Sequence, residues 1–263
     1  MNQRLSLLLA FLISFSGLWA QKDIVAQIEK EATENSQLDI LAHELVDVIG
    51  PRLVGTPQMA QAHQWAVANF NRWGIQANNE AWGTWRGWER GISHIDLVEP
   101  RVVSLHGRQL AWSPSTSAKG VVAEAIPFPV VKDSVAFAGW LKQIKGKLVC
   151  ISMPQPTGRP DYNWKEFATE ESFELMKSQR DAANKAWNEN LARTGYDRRT
   201  INTALEQAGA SGLIQSQWSN AFGANKVFSA NTKKIPVIDL SLEDYGLVYR
   251  MAENGDKPVL KIV

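Results

Sequence analysis

The sequence predicts a mixed α/β protein in two parts, a helical hairpin with short strands over residues 21–110 and a separate α/β unit over residues 111–263. Three observations carry this expectation. Apolar side chains recur at helical spacing on both sides of Gly50-Pro51, the chain near residue 95 alternates between apolar and polar, and beyond residue 120 strand and helix patterns follow one another without an internal repeat.

At the N-terminus, residues 1–20 carry one cation, Arg4, before the mostly apolar run from Leu7 to Leu18 and a small residue at Ala20. This is the pattern of a secretory signal peptide. Its core falls short of the ~20 apolar residues that span a bilayer, and no other stretch approaches that length. The expected mature chain is therefore soluble, secreted or periplasmic, and free of the membrane. No cysteine follows the apolar segment, which excludes an N-terminal lipid anchor at that point.

The whole chain holds 28 Lys+Arg against 27 Asp+Glu. Since Arg4 is the only charge in the leader, the mature chain nets zero and lacks the basic excess that nucleic acid or an anionic membrane would require. The one cysteine, Cys150, lies within Leu148-Val149-Cys150-Ile151 and reads as a buried small hydrophobe, not a nucleophile. Stability must then come from packing and not from disulfides.

Ser36 and Asp39 form a start resembling a capping box for a helix with Leu38, Leu41, Ala42, Leu45 and Ile49 on one face, ended by Gly50-Pro51. Thr56-Pro57 starts a second helix, whose stripe of Ala62, Ala66, Phe70 and Trp73 closes at Gly74. The short loop makes the two helices antiparallel. From Ile75 to about His106 short strands are expected, with Ile92 to Val98 alternating before Pro100. The small, polar stretch Ala111 to Lys119 marks the domain boundary. Beyond it come a strand Val121 to Ile126, a helix Ser134 to Ile144, a strand Leu148 to Ser152, polar helices over Glu170 to Arg193 and Arg198 to Gln207, strands at Leu213 to Gln215 and Val237 to Leu240, a helix Ser241 to Ala252 and a last strand Val259 to Val263.

Several of these segments carry a family resemblance. Ile49-Gly50-Pro51-Arg52-Leu53-Val54-Gly55-Thr56-Pro57, the pair Trp82-Gly83 followed by Arg86-Gly87-Trp88, and Ala111-Trp112-Ser113-Pro114-Ser115-Thr116 resemble, in order and at compatible spacing, segments of the M28 peptidases, in the branch around plasma glutamate carboxypeptidase. Lys145-Gly146-Lys147-Leu148-Val149, Ala208-Gly209-Ala210-Ser211-Gly212-Leu213-Ile214 and Ile235-Pro236-Val237-Ile238 resemble the protease-associated (PA) domain that this branch inserts into its catalytic domain. The resemblance covers most of the mature chain and is weakest over Pro160 to Asp197, which is longer and more charged than a minimal PA domain.

The resemblance implies that residues 21–110 are the N-terminal portion of a zinc-exopeptidase catalytic domain and that 111–263 are its inserted PA domain. The parent would be an aminopeptidase or carboxypeptidase acting on short peptides or dipeptides, with two zinc ions activating a bridging water and a carboxylate as general base. In the family the ligands are a His-x-Asp pair, two further acidic residues and a final His, and they follow the PA domain. None maps onto this chain. No zinc is therefore expected here, and no catalytic, metal or substrate-binding residue is assigned. Both connections of an inserted domain lie near one edge of the catalytic sheet, so it can overhang the metal site and restrict access to short substrates, with Glu170 to Arg193 as rim, lid or homodimer contact.

The residues themselves offer only partial constellations. His94-x-Asp96 is spelt like the first metal pair, and alternate strand residues share a face, but no second acidic cluster or distal His accompanies it; a half-exposed strand pair is the expected role. His43-Glu44 opens like a His-Glu-x-x-His zinc helix, yet the fifth position is Asp47, and a solvated helix face is expected. His63 and His106 lack a carboxylate at ligand spacing. Trp82, Trp85 and Trp88 with Arg86 and Arg90 read as packing anchors more readily than as a ligand groove. No Gly-x-Ser-x-Gly elbow exists, and Ser211 is expected in a turn. Three readings stay open: an exported metallopeptidase represented by its non-catalytic portion, a stand-alone PA-type module that binds protein or peptide, and an inert product.

Overall fold

The computed structural model describes residues 24–219, 223 and 226–263. The expected signal peptide lies outside the described residues. The chain divides into two units, Met1–Glu89 and Arg90–Val263.

In the first unit a helix α1 (24–34) precedes α2 (Leu38–Ala42), which runs on as a π-helical turn over His43–Ile49, and α3 (Pro57–Arg72) follows. Gly50 ends the π turn at φ 78°, a backbone state that glycine adopts without a Cβ penalty. Thr56 caps α3 as expected: its side chain accepts the Met59 amide at 3.2 Å, and Pro57 occupies the first turn. The capping box expected at Ser36 and Asp39 does not form, because the position before α2 is Gln37 and makes no side-chain cap. Two hydrogen bonds fix the antiparallel hairpin: Trp65 Nε1 donates to Glu44 at 2.7 Å and Arg72 to Gln37 at 3.4 Å. Arg52 closes the π turn by donating to the carbonyls of Leu45 and of Gly50, the latter at 2.6 Å. Residues 75–94 form neither helix nor strand, contrary to the expected run of short strands.

The second unit is built on eight strands: β1 (Ile95–Glu99), β2 (Val103–Ser104), β3 (Gly107–Gln109), β4 (Val121–Pro127), β5 (Leu148–Cys150), β6 (Gly212–Gln215), β7 (Val237–Leu240) and β8 (Val259–Ile262). Their order is β2-β1-β8-β4-β5-β6-β7-β3. β4 to β7 are parallel neighbours, and the long β4 turns the sheet: Val121–Glu124 pair antiparallel with β8, while Ala125–Pro127 pair parallel with β5. The helices are α4 (Ser134–Leu141), α5 (Asp161–Phe167), α6 (Glu170–Arg193), α7 (Ile201–Gln207) and α8 (Leu242–Glu253).

Apolar side chains on successive strand residues feed two cores, because the strands are covered on both faces. Leu148, Cys150, Ile214, Ile238 and Leu240 pack with Tyr245 and Val248 of α8. Val149, Leu213 and Val237 pack on the opposite side with Phe137 of α4 and Leu205 of α7. Trp187 and Leu191 bring the second half of α6 to that core. The Glu170–Arg193 helix is continuous and pinned to the body: buried Asn190 accepts the Val131 amide at 2.9 Å and donates to the Pro129 carbonyl at 2.8 Å, while Arg193 donates to the Val131 carbonyl at 2.8 Å.

The sheet absorbs strands placed in the first part by composition. β1 pairs with β8 and β3 with β7, both antiparallel, so strands on either side of residue 111 share one sheet and fall in the compact unit Arg90–Val263. The reason is long-range backbone pairing, which leaves no trace in the local composition around Ala111. β3 and α5, too short to carry a periodic signal, are additions to the expected elements.

Candidate functional site

The parallel strands aim their carboxyl ends at one edge of the sheet, the edge where open α/β sheets bind ligands. A cavity of about 390 Å³ lies there. Ile151 to Met153 follow β5 into its wall, Gln215 to Trp218 leave β6, and Asn184, Trp187 and Leu191 of α6 close another side. Arg198 and Arg199 reach it from the segment before α7, and Lys226 from the segment before β7.

Three local devices hold this wall. Asp239, fully buried in β7, accepts the amides of Gln217 and Lys226, both at 3.0 Å, and so ties down two points of the connection from β6. Tyr245 of α8 donates its hydroxyl to the Ser152 carbonyl at 2.6 Å and accepts the Ser152 amide at 2.9 Å, fixing the chain as it leaves β5. Burial, reinforced by Cys150, raises the Tyr245 phenol well above its ordinary range, so it stays protonated as that donor. Asp197 accepts the Thr200 hydroxyl at 2.7 Å and the amides of Arg199 and Thr200 at 2.9 and 2.8 Å; these bonds, the Thr200 hydroxyl first, hold its carboxyl below the usual carboxylate range and set the backbone that carries both arginines.

Several buried donors keep no partner among the described residues, and of these side chains Trp218 lines the cavity. They are Trp218 Nε1, Trp164 Nε1 and two nitrogens of Arg180, Nε and Nη2; the acceptor Gln155 Oε1 is likewise unpaired. Arg180 lies 4.5 Å above the Trp218 ring and gives its remaining Nη1 to Asp161 at 2.8 Å. Sequence reasoning missed this edge. Asp239 was the legible clue, since an acid inside the apolar run Val237-Ile238-Asp239-Leu240 is costly to bury unless fully hydrogen-bonded.

The histidine constellations do not assemble. His94 is exposed and bridges Val263 by two backbone hydrogen bonds of 2.9 Å, while Asp96 accepts the Ser104 hydroxyl at 2.9 Å. His43 pairs with Asp47 at 2.9 Å on an exposed face, and Glu44 is taken by Trp65. His63 and His106 are exposed. Among the described residues, no three His, Cys, Asp or Glu side chains are grouped so as to hold a metal ion. The donors among the described residues thus do not fit a pair of zinc ions.

Trp82 is 97% exposed, which overturns its expected role as a packing anchor, and Trp85 is 71% exposed. Trp88 is half-buried, and its amide donates to the Gly55 carbonyl at 2.9 Å. In the Ala111-Trp112-Ser113 segment, the buried Ser113 hydroxyl accepts the Val237 amide at 2.8 Å, which ties that segment to β7. Ser211 stands at a bend just before β6, two residues past the turn at Ala208-Gly209, and donates its amide to the Lys147 carbonyl at 2.8 Å. Cys150 is buried in the core and its thiol is pushed up to about 12 by desolvation, so it is no nucleophile. Among the described residues, no helix is long and apolar enough to cross a membrane.

The fold is similar to that of a Peptidase M28 precursor from Shewanella amazonensis. The TM-score is 0.54 at 19% identity, over 91% of this chain and 49% of that one. By sequence the chain is 25% identical over 222 residues to Carboxypeptidase Q of Rattus norvegicus and 24% identical over 229 residues to Carboxypeptidase Q of Mus musculus. Each match covers 83% of this chain, which spans only 40% of the length of those relatives. No family model matches the chain. The chain is thus similar in sequence to Carboxypeptidase Q and in fold to a Peptidase M28 precursor.

Proposed function

We propose that this chain is the N-terminal and PA portion of an exported, zinc-dependent exopeptidase that hydrolyses short peptides or dipeptides. The observation that carries the reading is the likeness to Carboxypeptidase Q along 83% of this chain but only 40% of the relative. Under this reading, the zinc ligands and the general base belong to sequence outside these residues, and the present residues shape and support the enzyme without taking part in bond cleavage. Residues 111–263 act as the PA domain, and the leader-like 1–20 supports export.

The test begins with the nucleotide sequence after the Val263 codon. An open frame encoding His-x-Asp, two more acids and a distal His, whose product hydrolyses dipeptides, loses activity to a chelator and regains it with zinc, supports the proposal. A stop codon at that point, or cleavage inside long chains in preference to dipeptides, defeats it.

One observation favours a second reading, a peptide-binding module without catalysis. The unit Arg90–Val263 has its own sheet, a core on each face and a ligand-sized cavity. Saturable ligand binding by the 263-residue chain, with no hydrolysis by any longer product of the gene, would select that reading.

A further inference from the structure

The cavity at the carboxyl ends of β5 and β6 has an uneven chemical inventory. Among the described residues three cations line it, Arg198, Arg199 and Lys226, and no Asp or Glu does. One wall carries Trp218, whose buried indole N–H has no partner among the described residues; another carries Gln155, whose buried carbonyl oxygen has none either. A buried donor left unpaired costs about 1–3 kcal/mol, so a cavity whose lining includes a donor and an acceptor unpaired among the described residues is suited to a ligand supplying both complements. The aromatic faces of Phe128 and Trp187 complete the lining. The volume, about 390 Å³, falls within the range of small-molecule sites, roughly 300–1,000 Å³.

These features specify a ligand. Positive charge with an indole N–H calls for a compact oxyanion, the unpaired Gln155 oxygen calls for an N–H donor nearby, and the aromatic lining calls for an apolar group. The C-terminal residue of a peptide holds all three within a few bonds: a carboxylate, an amide N–H and a side chain.

We propose that this cavity binds the C-terminal residue of a peptide, with Arg199 and Lys226 facing the carboxylate and Trp218 donating to it. No Asp, Glu, His or Cys among the described residues lines the cavity, and the role proposed for it is recognition. It stands independently of the peptidase reading, because its occupancy requires neither metal nor cleavage.

The test is calorimetric titration of the 263-residue chain with N-acetyl-leucine, N-acetyl-leucinamide and inorganic phosphate. N-acetyl-leucine should bind with one-to-one stoichiometry, and the amide, which lacks the carboxylate, at least about ten-fold more weakly. Phosphate should not displace N-acetyl-leucine at comparable concentration. Arg199→Gln and Lys226→Gln, changes at the cavity mouth that spare the core, should each weaken binding about three- to ten-fold with an unchanged melting temperature, and Trp218→Phe should weaken it while keeping the ring. Equal binding of acid and amide overturns the proposal. Displacement by phosphate reduces the site to a simple anion pocket, which also overturns it, as does the absence of any heat of binding with N-acetyl-leucine at about 10 mM.

Discussion

Gly55 and Gly87 lie backbone against backbone: a Cβ on Gly87 would come 3.2 Å from the Gly55 carbonyl oxygen, and one on Gly55 would come 3.2 Å from the Arg86 carbonyl oxygen. The Trp88 amide seals the contact on the same Gly55 oxygen. Two sequence motifs separated by some thirty residues are thus one structural feature, and a Cβ at either glycine would force the facing carbonyl to give by a few tenths of an ångström.

Gly55 also sits at φ +77°, where an L side chain is strained. Gly55→Ala should destabilise the first unit by more than about 1 kcal/mol. Urea denaturation followed by the fluorescence of the tryptophans in residues 24–89 would show it; an unchanged midpoint would mean that the contact is dispensable.

Within residues 24–89, Ala62 is the only buried hydrophobe among the described residues, while Leu38, Val48, Val54 and Trp82 are between 62% and 97% exposed. The second unit has a core on each face of its sheet. Limited proteolysis should therefore spare a fragment that starts near Arg90, keeping β1 to β3 with the sheet they pair with. N-terminal sequencing of the surviving band decides between this and a start near Trp112.

Tyr245→Phe would remove one hydroxyl and leave both the amide and the carbonyl of Ser152 unsatisfied in a partly buried place. The expected loss is about 1–3 kcal/mol of stability in the second unit. Thermal unfolding of the variant measures it. A companion Tyr249→Phe, at a position whose hydroxyl shows no such bonds among the described residues, should cost less.

The Cys150 thiol and the Tyr249 phenol are both pushed up to about 12, chiefly by burial, from ordinary values of 9.0 and 10.0. Each is an acid that the fold holds in its neutral form, so the stability linked to it is complete below the unfolded-state value and declines as pH rises from about 9 toward 12. Denaturant midpoints should fall across that window, and Cys150→Ala should flatten the fall. In native protein at pH 8, a thiol reagent should label Cys150 no faster than the sheet opens.

The sequence by itself determined the elements that depend on near neighbours. Thr56 with Pro57 sets the start of α3, the pattern over Glu170 to Arg193 gives α6 to the residue, and Leu148-Val149-Cys150 announces a strand buried on both faces, because capping, periodicity and apolar runs act within a few residues. The motifs that resemble the M28 peptidases were legible for the same reason. Only the tertiary structure decided that β1 and β3 belong to the second sheet, since strand pairing joins residues far apart in sequence, such as Asp96 with Lys261 and Arg108 with Asp239. The cavity is of that second kind as well. Gln155, Arg199 and the pair Trp218 and Lys226 come from three separate connections, and only the parallel order of β4 to β7, fixed by long-range backbone hydrogen bonds, brings their side chains to one edge.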